Sequence, residues 1–114
     1  MTSSNGRWIL PKGWPINGLL AHQAAQQEAW EEAGVKKGTA ESHRIGSYES
    51  VKSLDNGVEV PCRTFVYPIS VKAMSKDYPE GDRRERKWVS IEEAIKMVDE
   101  PGLREVIEKF GAKA

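Results

Sequence analysis

An excess of either charge, paired cysteines and long apolar runs are all missing from this 114-residue chain. Its 17 basic and 17 acidic side chains cancel, so no general field draws it toward nucleic acid or an anionic membrane, and neither is expected as a partner. The one cysteine, Cys62, cannot close an internal disulfide. That agrees with a reducing compartment, and the cytoplasm is the expected location. Within "VEVPCRTFVY" Cys62 reads as a buried strand thiol, with no histidine nearby in sequence to activate it. No stretch of about 18 apolar residues offers a membrane span, and the opening "MTSSNGRW" has no apolar core of a secretion signal. Internal repeats and low-complexity segments are also absent. The composition, 39% apolar and 30% charged, is that of a soluble globular protein. A single domain over residues 1–114 is expected, of a size that buries roughly 65% of its unfolded surface.

Local punctuation divides the chain. "RWILP" reads as a short apolar strand stopped by Pro11, and "KGWPING" as a loop. Alanine, glutamine and glutamate from about residue 20 to 33 predict a helix, with Gly34 as its stop. "SHRIGSYESVKS" and "VEVPCRTFVYPISVKAM" predict two antiparallel strands joined at Asn56-Gly57. "YPEGDRRER" reads as a loop, and "KWVSI" as a short strand or a helix lead-in. Ser90 and Glu93 form a candidate capping box for "IEEAIKMV", with Pro101 and Gly102 as its end. A last helix, "LREVIEKF", spaces Leu103, Val106, Ile107 and Phe110 along one face. Trp8, Trp30 and Trp88 read as core or near-core residues. Trp14 either flanks a ligand or seals its loop.

Charge is unevenly placed. Residues 1–18 hold Arg7 and Lys12 and no acid; residues 19–35 hold Glu28, Glu31 and Glu32 and no base. "RRERK" at 83–87 is strongly basic. On a helix Glu28 and Glu32 are i and i+4, with Glu31 at i+3, so all three can share one face. Like charges at this spacing destabilise a helix by roughly 0.2 to 0.5 kcal/mol per pair. The acids are either a solvated face or a divalent-cation site with cations nearby for a polyphosphate. His22 and His43 are of a residue type used in acid-base work but belong to no constellation.

The spacing across residues 13–35 resembles the Nudix hydrolase signature, G-x5-E-x7-R-E-U-x-E-E-x-G-U, with U a bulky apolar residue. Gly13, Glu28, Glu31, Glu32, Gly34 and Val35 stand at matching positions. Leu19 stands where the family has glutamate, Gln27 where it has arginine, and Ala29 is a small occupant of the first U position. The signature covers about a fifth of the chain. "RWILPKG" and "RKWVSIEEA" also look like Nudix proteins, particularly the subgroup that includes diphosphoinositol and diadenosine polyphosphate hydrolases.

The resemblance implies an α/β/α sandwich with a mixed sheet and a loop-helix-loop site. It further implies hydrolysis of a pyrophosphate bond in a small phosphorylated substrate, with Mg²⁺ or Mn²⁺ as cofactor. The expected metal ligands and catalytic acids are Glu28, Glu31 and Glu32, joined by the Gly13 carbonyl. Glu80 and Glu85 are candidates for the further glutamate that family members place outside the signature. Lys12, Arg83, Arg84 and Arg86 are the expected phosphate contacts. Leu19 and Gln27 leave open a Nudix-fold binding or regulatory module with weak or absent turnover. Nudix domains usually carry strands ahead of the one matching "RWILPKG"; six residues precede Arg7 here. An unpartnered strand edge and a concentration-dependent homodimer are therefore expected.

Overall fold

The computed structural model describes residues 1–2 and 6–113. The strong helix formers of residues 21–33 form helix α1 (Ala21–Ala33). Leu20 offers no side-chain cap, so Gln23 folds back and its Oε1 accepts from the Leu20 N–H at 2.8 Å. Gly34 closes the helix in the left-handed region at φ 72°, its N–H turned to the carbonyls of Ala29 and Trp30. A larger residue is excluded there twice over, because a Cβ would also lie 2.8 Å from the Ser75 carbonyl oxygen.

Strand β1 (Val35–Ala40) leaves Gly34 directly. Its sequence, "VKKGTA", lacks the apolar alternation that announces a strand, and the reading of residues did not anticipate it. The expected hairpin forms from β2 (Gly46–Ser53) and β3 (Glu59–Val66), with Asn56 Oδ1 accepting from the Val58 N–H at 3.1 Å in the turn. The run expected to continue from β3 breaks at Tyr67 and Pro68, since proline has no N–H for a ladder. It resumes as β4 (Ile69–Met74), which pairs antiparallel with β1.

Helices α2 (Ile91–Met97) and α3 (Pro101–Lys113) follow. Ser90 caps α2, its hydroxyl accepting from the Glu93 N–H at 3.1 Å, and "KWVSI" is the lead-in rather than a strand. Pro101 and Gly102 do not end α2. They open α3, where the missing proline N–H is harmless in a first turn. The stop is Val98, in extended conformation, and the Arg104 guanidinium donates to the carbonyls of Ile95 at 3.2 Å and Val98 at 2.9 Å.

The fold is α/β as expected, built from two two-stranded antiparallel ladders and three helices. Among the described residues the parallel part is the isolated bridge between Trp8 and Val98. The strand expected over "RWILP" is correspondingly reduced to Trp8, which bridges Thr2 and Val98 before Pro11 intervenes. The core lies between α3 and the β2/β3 ladder: Tyr48, Val98, Leu103 and Val106 are buried, with Leu10, Ile45, Val66 and Ile107 packed around them. Helix α1 rests on β1, where the Gln26 side chain donates to the Gly38 carbonyl at 2.7 Å and accepts from the Ala40 N–H at 3.4 Å. Trp8 and Trp30 are half-buried, but Trp88 is 73% exposed and joins no core, because no strand turns it inward. Cys62 is half-buried, with Sγ 3.6 Å from the Val60 carbonyl.

Candidate active site

The segment between β4 and α2 folds back over the C-terminal half of α1. The Glu80 N–H donates to the Glu31 carbonyl at 3.0 Å, and Arg86 Nη1 donates to the Ala33 carbonyl at 2.8 Å. These contacts use carbonyls that a helix end leaves without intrahelical partners. Arg86 also stacks over the Tyr78 ring, 4.7 Å from its centroid. The same fold-back carries the Glu80 and Arg84 side chains to the α1 acids.

Glu28 and Glu32 lie at i, i+4, and the Glu28 carboxyl is near enough to act on Glu32 both as a hydrogen-bond partner and as a charge. Glu32 is only 5% exposed. Burial, the Glu28 hydrogen bond and the nearby Glu28 and Glu80 charges outweigh Arg84 and push its pKa up to about 8. Gly13 lies against Glu28: a Cβ there would fall 2.5 Å from the Glu28 carboxyl carbon. Only glycine lets the backbone come so close.

Glu31 takes another direction. Its Oε1 accepts from Gln27 Nε2 at 3.3 Å on the exposed side of α1, so the three acids do not converge as expected. Among the described residues, no group of three acidic, histidine or cysteine side chains is gathered at metal-ligating spacing. Of the two glutamates outside α1, Glu80 is tied to Glu32 through Arg84, and its charge reaches Glu32. Glu85 has an exposed side chain, and its backbone exchanges hydrogen bonds with Thr2 at 2.9 Å.

The four candidate cations also separate. Arg84 Nε donates to Glu80 Oε1 at 2.8 Å, Nη1 donates to the Thr2 carbonyl at 2.9 Å, and Nη2 lies 3.6 Å from Glu32 Oε1. Arg86 is held at the helix end, Lys12 is half-buried beside Gly13 in sequence, and Arg83 is exposed. Trp14 does not seal its loop; it is 52% exposed, with Lys52 Nζ 5.5 Å from its ring centroid. Leu19 and Gln27 line one shallow depression of about 380 Å³ with Gln23, Gln26 and Trp30. Thr2 and Tyr78 were not among the expected site residues, and no local pattern marks either, since both act through contacts distant in sequence.

Fold and site together define a small α/β protein whose paired carboxylates lie along a helix closed by a left-handed glycine. The NUDIX domain family model matches residues 2–110, and the chain belongs to that family. It is similar to Nudix hydrolase 13, mitochondrial, of Arabidopsis thaliana, with 31% identity over 108 residues covering 90% of this chain and 52% of the relative. Nudix hydrolase 21, chloroplastic, of the same organism is 34% identical over 105 residues, covering 90% and 49%. Diphosphoinositol polyphosphate phosphohydrolase 3-alpha of Homo sapiens is 31% identical over 108 residues, covering 91% and 61%. The chain thus spans about half the length of the curated relatives it matches. No solved structure matches it significantly. No helix among the described residues is long and apolar enough to cross a membrane.

Proposed function

We propose that this chain hydrolyses a pyrophosphate bond in a small phosphorylated compound, with Mg²⁺ or Mn²⁺ bound at the α1 carboxylates. The observation that carries the reading is buried Glu32 beside half-buried Glu28, with Gly13 placed against Glu28 and the Glu80 charge near Glu32. Two carboxyls sharing a hydrogen bond in low dielectric are costly to ionise together, and a divalent cation offsets that cost. Their oxygens suit a hard cation, so Glu28, Glu32 and the Gly13 carbonyl would hold it, with Glu80 or Glu31 reached by side-chain rotation. Nudix hydrolases are generally dependent on divalent metals, and the bound ion supplies Lewis-acid stabilisation at phosphoryl oxygens. The chain's own work is to orient those ligands so that a carboxylate whose proton the cation displaces can accept one from water. Lys12 and Arg83 are the side chains proposed to meet the outlying phosphates.

The proposed substrates are nucleoside diphosphate derivatives, dinucleoside polyphosphates or diphosphoinositol polyphosphates, the last supported by the name of the human relative. A second reading, a binding module with weak turnover, is favoured by the Gln27 amide, which reaches Glu31 instead of the buried pair. Phosphate release from a panel of these compounds with Mg²⁺ or Mn²⁺ separates the two. Turnover supports the enzyme, whereas tight binding without release supports the module. The cytoplasm remains the proposed compartment on the strength of the lone thiol; since the plant relatives carry organellar names, fractionation of the native host is the test.

A further inference from the structure

Helix α1 has no lysine or arginine, and Gln27, its nearest donor to the acids, is occupied by Glu31. The cation beside buried Glu32 comes from much later in the chain. Arg84 Nε and Nη1 are fixed at 2.8 Å and 2.9 Å by Glu80 and the Thr2 carbonyl, while Nη2 reaches Glu32 only at 3.6 Å. Its side chain is 19% exposed and that of Glu32 7%. Two edges of the guanidinium are therefore committed to protein, and the third faces a carboxylate that a metal would also claim.

We propose that Arg84 is a positioning residue for the metal ligands, setting Glu32 and Glu80 in one frame, and is not a phosphate contact. The proposal rests on the metal-site reading given above. A planar fork with five donors can satisfy three partners on different elements at once; an ammonium on a flexible stem cannot reproduce that frame. The loose Nη2 contact leaves Glu32 free to shift toward a cation without breaking the two tight bonds.

The competing roles predict opposite signs. As a bare charge, Arg84 repels a divalent ion, so Arg84→Gln would tighten metal binding. As a phosphate contact, it would leave metal binding nearly unchanged and weaken pyrophosphate binding. As a positioning residue, its loss should weaken Mn²⁺ binding by roughly 10- to 100-fold, the usual effect of removing a group that orients metal ligands. Mn²⁺ affinity of the full chain, read from free Mn²⁺ by electron paramagnetic resonance, is measured for the parent, Arg84→Gln and Arg84→Lys. Inorganic pyrophosphate binding is then measured at saturating Mn²⁺.

The expected result is weakened Mn²⁺ binding in both variants, with pyrophosphate affinity unchanged once the metal site is filled. Should Arg84→Gln fail to fold by circular dichroism, Arg84→Lys, which keeps the stem and the charge, carries the test. Parent-like Mn²⁺ affinity in Arg84→Lys, tighter binding in Arg84→Gln, or a loss confined to pyrophosphate would each overturn the inference. A parent that bound no Mn²⁺ would overturn the metal-site reading as well.

Discussion

Glu32 is where the cost of the site is concentrated. Its folded pKa, raised to about 8 from an ordinary 4.5, means that the native state holds a proton the unfolded chain releases over that interval. Stability from this group is therefore fully present below about pH 4.5, falls as pH rises and is lost above about 8. Glu32→Gln keeps a hydrogen-bond partner for Glu28 and removes the titration. In metal-free urea unfolding it should match the parent near pH 4 and exceed it at pH 8.5 by on the order of a few kcal/mol. Mn²⁺ should stabilise the parent by about 2.7 kcal/mol at a hundredfold excess over Kd, and Glu32→Gln should lose most of that gain. Parallel pH profiles for the two proteins would return Glu32 to a passive role. Gln27 permits a second test. It shares a depression with Leu19 and faces Glu31, so the two departures from the signature are neighbours in space as well as in chemistry. Gln27→Arg should raise turnover, Leu19→Glu alone should do little or harm, and the double change should exceed the sum. Steady-state rates equal to the parent's in Gln27→Arg would remove this account.

At the scale of elements, what was legible depended on whether the determining contact was local. Helix α1, its Gly34 stop and the Asn56-Gly57 hairpin rest on propensities and turns within a few residues, and all three appear where expected. Strand β1 has no apolar alternation of its own; it is a strand because β4 pairs with it and Gln26 braces it from α1. Pro101 and Gly102 serve equally well as a stop or a start, and Arg104 decides by covering the carbonyls that α2 leaves behind. The site follows the same division. The i, i+4 spacing gave the Glu28 and Glu32 contact, but the commitment of Arg84 to Thr2 and of Arg86 to Ala33 depends on the fold-back after β4. Gly34 is central to that arrangement: its carbonyl accepts from the Ser75 N–H at 2.8 Å, and a Cβ there would crowd Tyr78 and Arg86. Gly34→Ala should destabilise the fold by roughly 1 to 3 kcal/mol through left-handed strain and the clash with the Ser75 carbonyl. A urea midpoint within error of the parent would show that the fold-back yields without cost.

For the whole molecule, the two ladders are covered unequally. Helix α3 packs on the β2/β3 ladder and buries Tyr48, while the opposite face carries Glu49, Val51, Pro61, Arg63 and Phe65. Val51 is 58% and Phe65 46% exposed, and both strands of a two-stranded ladder are edges with backbone groups open to pairing. Charges temper this tendency. Arg63 bonds Glu49 at 2.9 Å and Arg44 sits 4.8 Å from the Phe65 ring centroid, so a second chain must fit around an ion pair and a cation over its aromatic anchor. We therefore expect a weak homodimer, with Kd on the order of 0.1 mM, through this face of the β2/β3 ladder. Light scattering from micromolar to millimolar chain should show the mass rising toward twice the monomer. Val51→Asp should hold it at the monomer, because a dimer would bring two unpaired carboxylates into an apolar contact. The core is on the other side of the ladder, so that variant should unfold at the parent's denaturant midpoint. A mass that stays monomeric at about 1 mM, roughly ten times the expected Kd, would leave Val51 and Phe65 as ordinary surface.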